Sequence, residues 1–524
     1  MNLNFARIWP WVAAAASGLL LTLCYPRFDQ AWLCWVGLTP LIAAVWFGGG
    51  VQSLRRAAGL GYVTGLTFFW GVFSWLTTVT GLGWFVLPFY LALFVAAWGA
   101  VLELARGLAG DFSRSGPNLR AAVLGAAAWT ALEWLRGLGN LSFGWNGLGV
   151  ALHGNLALIQ IVEFTGVGGL SFLVAFTNLI AVITVRRFLA ETQARRLRPH
   201  WDFSTAMALI AATFAYGVRV VFTPAPADTT PLRVAAVQAN IPQEEKFDRA
   251  FALLIRERYA KLTEMALATR PQLILWPEAA TPGPMFESEE EVEFVRGFAR
   301  HEGVNFLLGT LDFDGEQHDY NVAALFTGKG QRLQLYRKIH LVPFGEYIPF
   351  RKAFPPFEWI IGDLVPGDFT AGREYTLLTL ENPRIHAGAL ICFEDTLGDL
   401  TRHFVKRGAQ LLINVTNDGW FLRSKGSEQH LANAVFRAVE NRRPLIRAAN
   451  TGVTAIVNPL GRVANAFRPD GNPFAEGVLS DILQVPSETA PQTFYTRHGE
   501  RFSQACAVIS LAGVALILRQ RRKS

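Results

Sequence analysis

Long apolar runs divide the chain into three parts. Runs that could cross a bilayer as a helix of about 20 residues lie at 8–24, 31–48, 57–77, 82–105, 119–136, 163–185, 205–222 and 503–518. From 228 to 490 no run reaches this length. The pattern predicts a polytopic α-helical membrane domain of about eight spans, with seven of them in residues 1–227. A separate domain at 228–490 precedes a C-terminal span and a basic tail at 491–524.

The middle segment has the pattern of an α/β domain. Short apolar runs rich in β-branched residues predict strands; they read "LRVAAVQANI", "QLILWPEAA", "NFLLGTLDF", "YNVAALFTG", "LQLYRKIHLV", "IHAGALICFED" and "AQLLINVTND". They alternate with helical stretches near 248–269, 287–302, 396–407 and 427–443. "TGKG" at 327–330 predicts a hairpin turn between two of the strands. The alternation predicts helices packed on sheets.

Basic residues in the short loops predict the orientation of the spans. Alternate loops and the C-terminal tail hold fourteen of them, against only Asp111 and Glu191: Arg55, Arg56, Arg106, Arg114, Arg120, Arg186, Arg187, Arg195, Arg196, Arg198, Arg519, Arg521, Arg522 and Lys523. The opposite loops, such as "TTVTGLG" at 77–83, hold almost none. Because basic loops stay in the cytoplasm, we expect both chain ends inside and the 228–490 domain outside.

Composition agrees with a membrane protein. The 524 residues are 51% hydrophobic and only 17% charged, with 16 tryptophans, which is unusually apolar for a soluble protein. The net charge of +7 is accounted for by loops that face anionic lipid. The sequence therefore predicts no nucleic-acid partner.

One cysteine stands apart from the other three. Cys24, Cys34 and Cys506 lie in or beside predicted spans, so Cys392 is the only cysteine of the 228–490 domain. It ends the strand "GALIC" just before a predicted helix, "TLGDLTRHFVKRG". Such a turn can stabilise a thiolate and supply an oxyanion hole. The alternative is a buried core cysteine that acts as a small hydrophobic residue.

Two further strand ends carry candidate partners for this thiol. "LILWPEAAT" places Glu278 just after an apolar strand, where a partly shielded carboxylate suits proton transfer. "LYRKIHLVPFGEYIP" places Lys338 in a strand and Glu346 in the following loop. Taken singly, these residues also fit a helix cap, a surface lysine and its salt-bridge partner.

Together the three stretches resemble the nitrilase, or carbon–nitrogen hydrolase, superfamily. Its members use a glutamate, a lysine and a cysteine, in that order, on an αββα sandwich. The resemblance covers about 230–485 and implies that Glu278 is the general base, Lys338 stabilises the oxyanion and Cys392 is the nucleophile. It also implies that Glu346 supports Lys338. Phe393 and Glu394, next to the cysteine, are candidates for substrate or backbone positioning, although a helix N-terminal acid would explain Glu394 equally well.

The membrane half narrows the resemblance to the bacterial apolipoprotein N-acyltransferase family. "WTALEWLRG" at 129–137 and "SFGWNGLG" at 142–149 resemble that family's motifs. This implies transfer of a fatty acyl chain from a phospholipid to the N-terminal amine of a diacylglyceryl-cysteine lipoprotein, through a cysteine thioester. It also implies the bacterial inner membrane, with the catalytic domain on the periplasmic side. Gly144, Phe247 and Phe393 depart from residues common in the family.

Several secondary interpretations follow from the same stretches. Apolar residues in the loops 354–367 and 418–426 suggest lipid-facing lids, or ordinary packing. His340 offers a Cys–His dyad, but Glu278 already fills the role of base. The remaining histidines show no metal-ligand spacing with cysteine, so we predict no metal and no cofactor.

Two other functions compete with acyl transfer. A membrane-anchored nitrilase-like amidase would use the same triad on a small amide and release its product to water. A transporter with an accessory binding domain would need paired charges inside its spans. Glu103, Glu133, Glu163 and Arg219 lie near predicted helix ends instead, which disfavours the transporter.

The distribution of basic residues yields a test of topology. It predicts that Ser524 is cytoplasmic and that Asp314 lies outside. A reporter that is active only outside the cytoplasm should therefore be silent when fused after Ser524. Reporter activity from that fusion in intact cells would overturn the orientation.

Overall fold

The chain folds into a helical unit and an α/β unit in a computed structural model. The model describes residues 3–49, 53–194, 198–224, 228–246, 248–301, 303–315, 318–351 and 368–523. One unit is helical and contains the described residues up to 138, those of 143–223 and those from 500 onward. The other unit contains 139–142 and the described residues of 224–499. The catalytic role of the 228–490 segment stays a prediction.

The helical unit is built from long apolar helices. Its helices are α1 (Leu3–Thr22), α2 (Thr39–Phe47), α3 (Leu54–Val72), α4 (Gly81–Ala109), α5 (Ser115–Arg136), α6 (Val162–Thr165), α7 (Val167–Ala194), α8 (Trp201–Phe222) and α14 (Arg501–Lys523). Among the described residues, α4, α7, α8 and α14 are long and apolar enough to cross a membrane. The unit therefore has several candidate spans, and the predicted count of eight is not confirmed.

The predicted span at 31–48 is a broken element. Residues Ala31–Trp35 form a short 3₁₀ helix, and α2 begins only at Thr39 with Pro40 in its first turn. A proline at this position starts a helix well but cannot continue one, because it lacks the backbone N–H. The apolar run therefore contains a nine-residue α-helix.

The described residues of the second unit form two sheets of six strands each. Its strands are β1 (Thr229–Gln238), β2 (Leu273–Leu275), β3 (Asn305–Phe313), β4 (Asp319–Thr327), β5 (Arg332–Arg337), β6 (Leu377–Leu380), β7 (Ile385–Ile391), β8 (Leu411–Thr416), β9 (Leu445–Ala449), β10 (Ala455–Val457), β11 (Val463–Ala466) and β12 (Gly477–Pro486). The first sheet has the order β12-β1-β2-β3-β4-β5, and the second has the order β11-β10-β9-β8-β7-β6.

Each sheet has parallel strands at its centre and antiparallel strands at its edges. β1, β2 and β3 are parallel to one another, as are β7, β8 and β9. β2 and β8 are buried at every residue, as expected for parallel strands covered on both faces.

The sheets pack face to face with helices on their outer sides. β1 contacts β9 and β4 contacts β7 across the interface. The helices are α9 (Ala252–Ala268), α10 (Glu289–Ala299), α11 (Gly398–Lys406), α12 (Gly426–Asn441) and α13 (Phe494–His498). α9 and α10 pack on the first sheet, and α11 and α12 on the second. The predicted αββα sandwich is confirmed.

One predicted position needs a correction. β5 ends at Arg337, which pairs with Val322, so Lys338 follows the strand rather than lying in it. The Lys338 N–H still donates to Asn321 O at 2.8 Å, but its carbonyl accepts from Gly372 N at 2.7 Å. The N–H of Lys338 therefore still pairs with β4, whereas its carbonyl bonds to the segment that contains Gly372.

Gly309 in β3 is required by a close approach to the loop that carries Glu278. Gly309 N donates to Pro277 O at 3.1 Å, and Ala280 N donates back to Gly309 O at 2.8 Å. A Cβ at Gly309 would lie 2.5 Å from Glu278 Cα. The loop and the strand are held together by backbone atoms that cannot move aside independently.

We expect Gly309→Ala to destabilise the α/β unit. Overpacking of this kind costs about 1–3 kcal/mol, so the melting temperature of the purified protein should fall. Gly297→Ala is the matched control, because Gly297 is exposed in α10 with open space around its Cβ position, and alanine favours a helix. An unchanged melting temperature for Gly309→Ala would show that this approach does not constrain the fold.

Candidate active site

Cys392 lies at the turn between β7 and α11. It begins a short 3₁₀ helix, Cys392–Thr396, and has a φ of +51°. Residues other than glycine seldom adopt this left-handed conformation, which is frequent at functional sites when it is held in place. The Cys392 carbonyl accepts from Asn414 Nδ2 at 3.1 Å and lies 3.3 Å from His430 Nε2. The strand-to-helix turn expected from the sequence is present.

The thiol of Cys392 is protonated at neutral pH. Burial and the Glu278 carboxylate raise its pKa, while the Lys338 ammonium and a hydrogen bond with Thr416 lower it. The Asp418 carboxylate raises it further, and the net shift is upward. A nucleophilic role for this sulfur therefore requires a base that removes its proton.

Glu278 follows β2 and is held by amide donors. Its side chain is buried, and its Oε1 accepts from Asn321 Nδ2 at 2.8 Å. Its Oε2 accepts from the backbone N–H of Asn417 at 2.9 Å. Both oxygens are thereby oriented by donors from two different sheets, one on β4 and one just after β8.

The buried Lys338 forms an ion pair with the half-buried Glu346. Lys338 Nζ lies 2.8 Å from Glu346 Oε1 and 3.9 Å from Glu278 Oε1. Burial lowers the pKa of Lys338, but Glu346, Glu278 and the Cys392 sulfur raise it more, and the net shift is upward. Val342 N donates to Glu346 Oε2 at 2.8 Å. Lys338 therefore remains an ammonium, and the structure pairs it with Glu346.

Sequence reasoning missed three polar residues of this site. Asn321 Nδ2 donates to both Glu278 and Glu346, the second at 3.1 Å. Asn417 supplies the backbone N–H at Glu278, and the Lys246 ammonium donates to Glu278 O at 2.7 Å. A polar residue in the apolar strand "YNVAALFTG" was an available signal for Asn321. For Lys246 in "IPQEEKFD" the sequence offers no comparable signal.

Glu394 holds two backbone segments in position, one after β5 and one at the end of β7. It is fully buried, and its carboxylate accepts from the N–H groups of Ile339 at 2.8 Å, His340 at 3.0 Å and Ile391 at 2.8 Å. The Tyr336 hydroxyl donates to it as well, at 2.8 Å. Burial raises the pKa of Glu394 to about 7, against the lowering effect of Lys338 and these donors.

Phe393 and His340 pack on each other. Their rings are nearly parallel with centroids 5.9 Å apart, and Phe393 is buried. His340 Nε2 lies 3.1 Å from Ser142 Oγ. Burial and Lys338 lower the pKa of His340 to about 4, so it is neutral at pH 7. These contacts are those of a packed histidine; a substrate contact for Phe393 stays a prediction.

Two predictions from the sequence, the departure at position 247 and the pair of lipid-facing lids, concern residues that are not all described by the structure. Phe247 and the loop 354–367 lie outside them. In the other predicted lid, Trp420 and Leu422 are 48% and 52% exposed, whereas Phe421 is buried. Exposed apolar side chains of this size fit a lipid-facing surface, and the lid role stays a prediction.

A network of four buried charges lies next to the Cys392 backbone. Arg447 donates to Asp395 and to Asp418, the latter at 2.8 Å from Nη2 to Oδ2. His430 lies between the same carboxylates, with Nε2 2.8 Å from Asp395 and Nδ1 2.9 Å from Asp418. Burial and Arg447 lower the pKa of His430, but the two aspartates raise it above its ordinary value. With His430 protonated, the network is neutral.

Family comparisons cover both units. The family described as carbon-nitrogen hydrolase matches residues 233–486. The family described as apolipoprotein N-acyltransferase N-terminal domain matches residues 17–180. Among solved structures, an amidase from Nesterenkonia sp. is 20% identical and covers 52% of this chain and 95% of its own, with a TM-score of 0.38. This structural likeness is too loose to support an inference.

Full-length relatives give the clearest comparison. The apolipoprotein N-acyltransferase of Geobacter metallireducens is 35% identical and covers 98% of this chain and 96% of its own length. The apolipoprotein N-acyltransferase of Brucella suis is 31% identical with the same coverage. Similarity at this level spans both the helical and the α/β unit, so the chain belongs to the apolipoprotein N-acyltransferase family.

Proposed function

We propose that the protein transfers a fatty acyl chain from a phospholipid to the N-terminal amine of a diacylglyceryl-cysteine lipoprotein. Cys392 is the nucleophile, Glu278 the general base, and Lys338 the cation that stabilises the oxyanion. Glu346 holds Lys338. Phospholipid and lipoprotein react in turn, through an acyl thioester on Cys392.

The observation that carries this proposal is the convergence of Glu278, Lys338 and Cys392 from three separate strand ends. Glu278 and Lys338 lie within 3.9 Å of each other, and both act electrostatically on the Cys392 thiol. A base and a cation beside a protonated thiol are the parts that a thiol nucleophile requires. The membership of the chain in an acyltransferase family supports the choice of reaction.

In the first half-reaction, Glu278 accepts the thiol proton and the sulfur attacks the ester carbonyl of the phospholipid. The negative charge moves to the carbonyl oxygen, where the Lys338 ammonium stabilises it. Collapse breaks the ester C–O bond, and Glu278 returns the proton to the departing oxygen. The products are a lysophospholipid and a thioester on Cys392.

In the second half-reaction, the lipoprotein amine attacks the thioester carbonyl. Glu278 accepts a proton from the nitrogen, the C–S bond breaks, and the proton passes to the sulfur. The thiol is restored and an amide has formed, so no oxidant, metal or cofactor enters the balance. Glu278 thus acts as base and then as acid in both halves.

The membrane setting follows from the substrates. We propose eight spans, a location in the bacterial inner membrane and a catalytic domain on the periplasmic side. Support comes from the apolar helices α4, α7, α8 and α14 and from the basic loops of the sequence. Because both lipids are confined to the bilayer, a reaction domain tethered to spans is held where they are.

We expect phospholipid alone to acylate Cys392. Incubation without a lipoprotein acceptor should add the mass of one acyl chain and release lysophospholipid once per protein, because the second half-reaction has no amine. Neutral hydroxylamine should remove the added mass, as it cleaves thioesters. Intact-protein mass spectrometry measures both. An amidase specific for small amides would give no adduct.

Cysteine variants complete this test. Cys392→Ala should give no adduct, and Cys392→Ser should react slowly and form an ester that survives hydroxylamine. Cys506→Ala removes a buried thiol from α14 and should behave like the unmodified protein. An adduct that persists in Cys392→Ala would place the acyl group elsewhere and refute the role of Cys392.

We expect Glu278→Gln to slow acylation of Cys392 by about 10²–10⁴-fold, the usual contribution of general base catalysis. The amide group would also face one of two donors, Asn321 Nδ2 or Asn417 N, at a cost of about 1–3 kcal/mol in stability. Glu264→Gln, at an exposed position of α9, is the control. Acylation of the Glu278 variant at the rate of the control would remove Glu278 from the role of base.

A further inference from the structure

Lys246 is a second lysine of the active site. It follows β1 on a segment bound to the edge where Asn417 holds Glu278: Asn240 N donates to Asn450 O at 2.7 Å, and Gln243 Oε1 accepts from Asn417 Nδ2 at 2.7 Å. The Lys246 side chain is 2% exposed. Its Nζ donates to the main-chain oxygen of Glu278 at 2.7 Å. Lys246 thereby contacts the residue proposed as the base.

The Lys246 ammonium has no carboxylate in direct contact within the described part of the chain. Its single hydrogen-bond acceptor there is the Glu278 carbonyl, which is neutral. A buried ammonium without a carboxylate partner is costly, because nothing replaces the hydration it has lost. A neutral donor could form the same hydrogen bond to the Glu278 carbonyl, so a purely structural role would not require a buried charge.

The other charges of the site explain why a positive charge is kept on the buried Lys246. Glu278 and Glu346 are two carboxylates, whereas Lys338 supplies one positive charge and is already bound to Glu346. Lys246 interacts electrostatically with Glu278 and with the Cys392 sulfur. The buried Glu394 carboxylate is held by three backbone N–H groups instead of a lysine. With Lys246 protonated, the cluster of Glu278, Glu346, Lys338 and Lys246 is neutral at rest. It stays neutral when the proton moves from sulfur to Glu278, and again when the negative charge reaches the substrate oxygen.

We propose that Lys246 is a positioning residue for the acylation of Cys392: its ammonium fixes the Glu278 backbone and supplies the second positive charge that keeps the reacting site neutral. This rests on the proposed function. It assigns to Lys246 an effect on rate that passes through Glu278 and Cys392 rather than through contact with substrate. In a dry site, one unbalanced charge strongly opposes the development of another.

The charge on Lys246 predicts a pH dependence. Burial lowers the pKa of Lys246 to about 8, against the raising effect of Glu278, in the loop after β2, and of Cys392, in the turn after β7. On its own segment Glu244 is exposed and Glu245 half-buried. The ammonium is present below this pKa and is lost as the pH rises through it. Acylation should therefore slow on the alkaline side of about pH 8.

The test is the rate of acyl-enzyme formation on the full-length protein with phospholipid alone, from about pH 6 to about pH 9.5. Leaving out the lipoprotein removes the titration of its amine from the profile. Lys246→Met should lower the rate by about 10²-fold, the scale of losing one preorganised charge, and should abolish the alkaline decline. Lys261→Met, at an exposed position of α9, should match the unmodified protein.

The Lys246→Arg variant separates the effect of the positive charge on rate from an effect of the substitution on folding. Its guanidinium stays charged throughout the range, so the alkaline decline should disappear even if the larger group lowers the rate. This variant decides the question if Lys246→Met lowers the melting temperature. A wild-type rate in Lys246→Met, or an alkaline decline that is unchanged in the two variants, would overturn the proposal. If the unmodified protein formed no adduct at all, the proposed function itself would fail, and this inference with it.

Discussion

The candidate active site depends on one buried carboxylate that joins the two sheets. Glu394 accepts from the backbone of Ile339 and His340, which continue from β5 of the first sheet. It also accepts from Ile391, the last residue of β7 in the second sheet. Lys338 and Cys392 are each adjacent in sequence to one of these donors, so this side chain ties together the two backbone segments that carry the ammonium and the thiol. Loss of this acceptor would leave one buried and two partly buried N–H groups without this partner, which costs more than one surface hydrogen bond.

The neighbouring charge network serves a second constraint, the conformation of Cys392. A left-handed backbone in a residue other than glycine costs of the order of 1–3 kcal/mol and persists only when its surroundings impose it. Asn414 and His430 surround the Cys392 carbonyl, and Arg447 contacts both Asn414 and the aspartates that hold His430. The charge on Arg447 is fully buried, and its guanidinium donates to Asp395, Asp418 and Asn414, with Nη2 also 2.8 Å from His430 Nδ1. The strain at Cys392 is thus balanced by groups that are themselves paired.

The sequence predicted the candidate residues better than the contacts among them. Glu278 and Cys392 were found because an apolar strand stops beside each, and strand ends are visible in a single sequence. Asn321, Asn417 and Lys246 were missed because their roles depend on which segments meet in three dimensions: Asn321 lies on β4 of the first sheet, whereas Asn417 follows β8 of the second. The apolar run at 31–48 is not one continuous α-helix for a local reason: hydrophobicity measures partitioning into lipid, whereas Pro40 decides where a helix begins.

In both charge clusters, acidic side chains are balanced by basic side chains that are already in place, and the proposed reaction explains why. A thioester next to a bilayer must be kept from water, so the site cannot rely on solvent to compensate the charges that form during acyl transfer. Compensation then has to come from side chains already in place. Asp395 and Asp418 are balanced by Arg447 and His430, and in the same way Glu278 and Glu346 are balanced by Lys338 and Lys246. The first cluster fixes the backbone of Cys392; in the proposed reaction, the second remains neutral while a proton and a negative charge move through it.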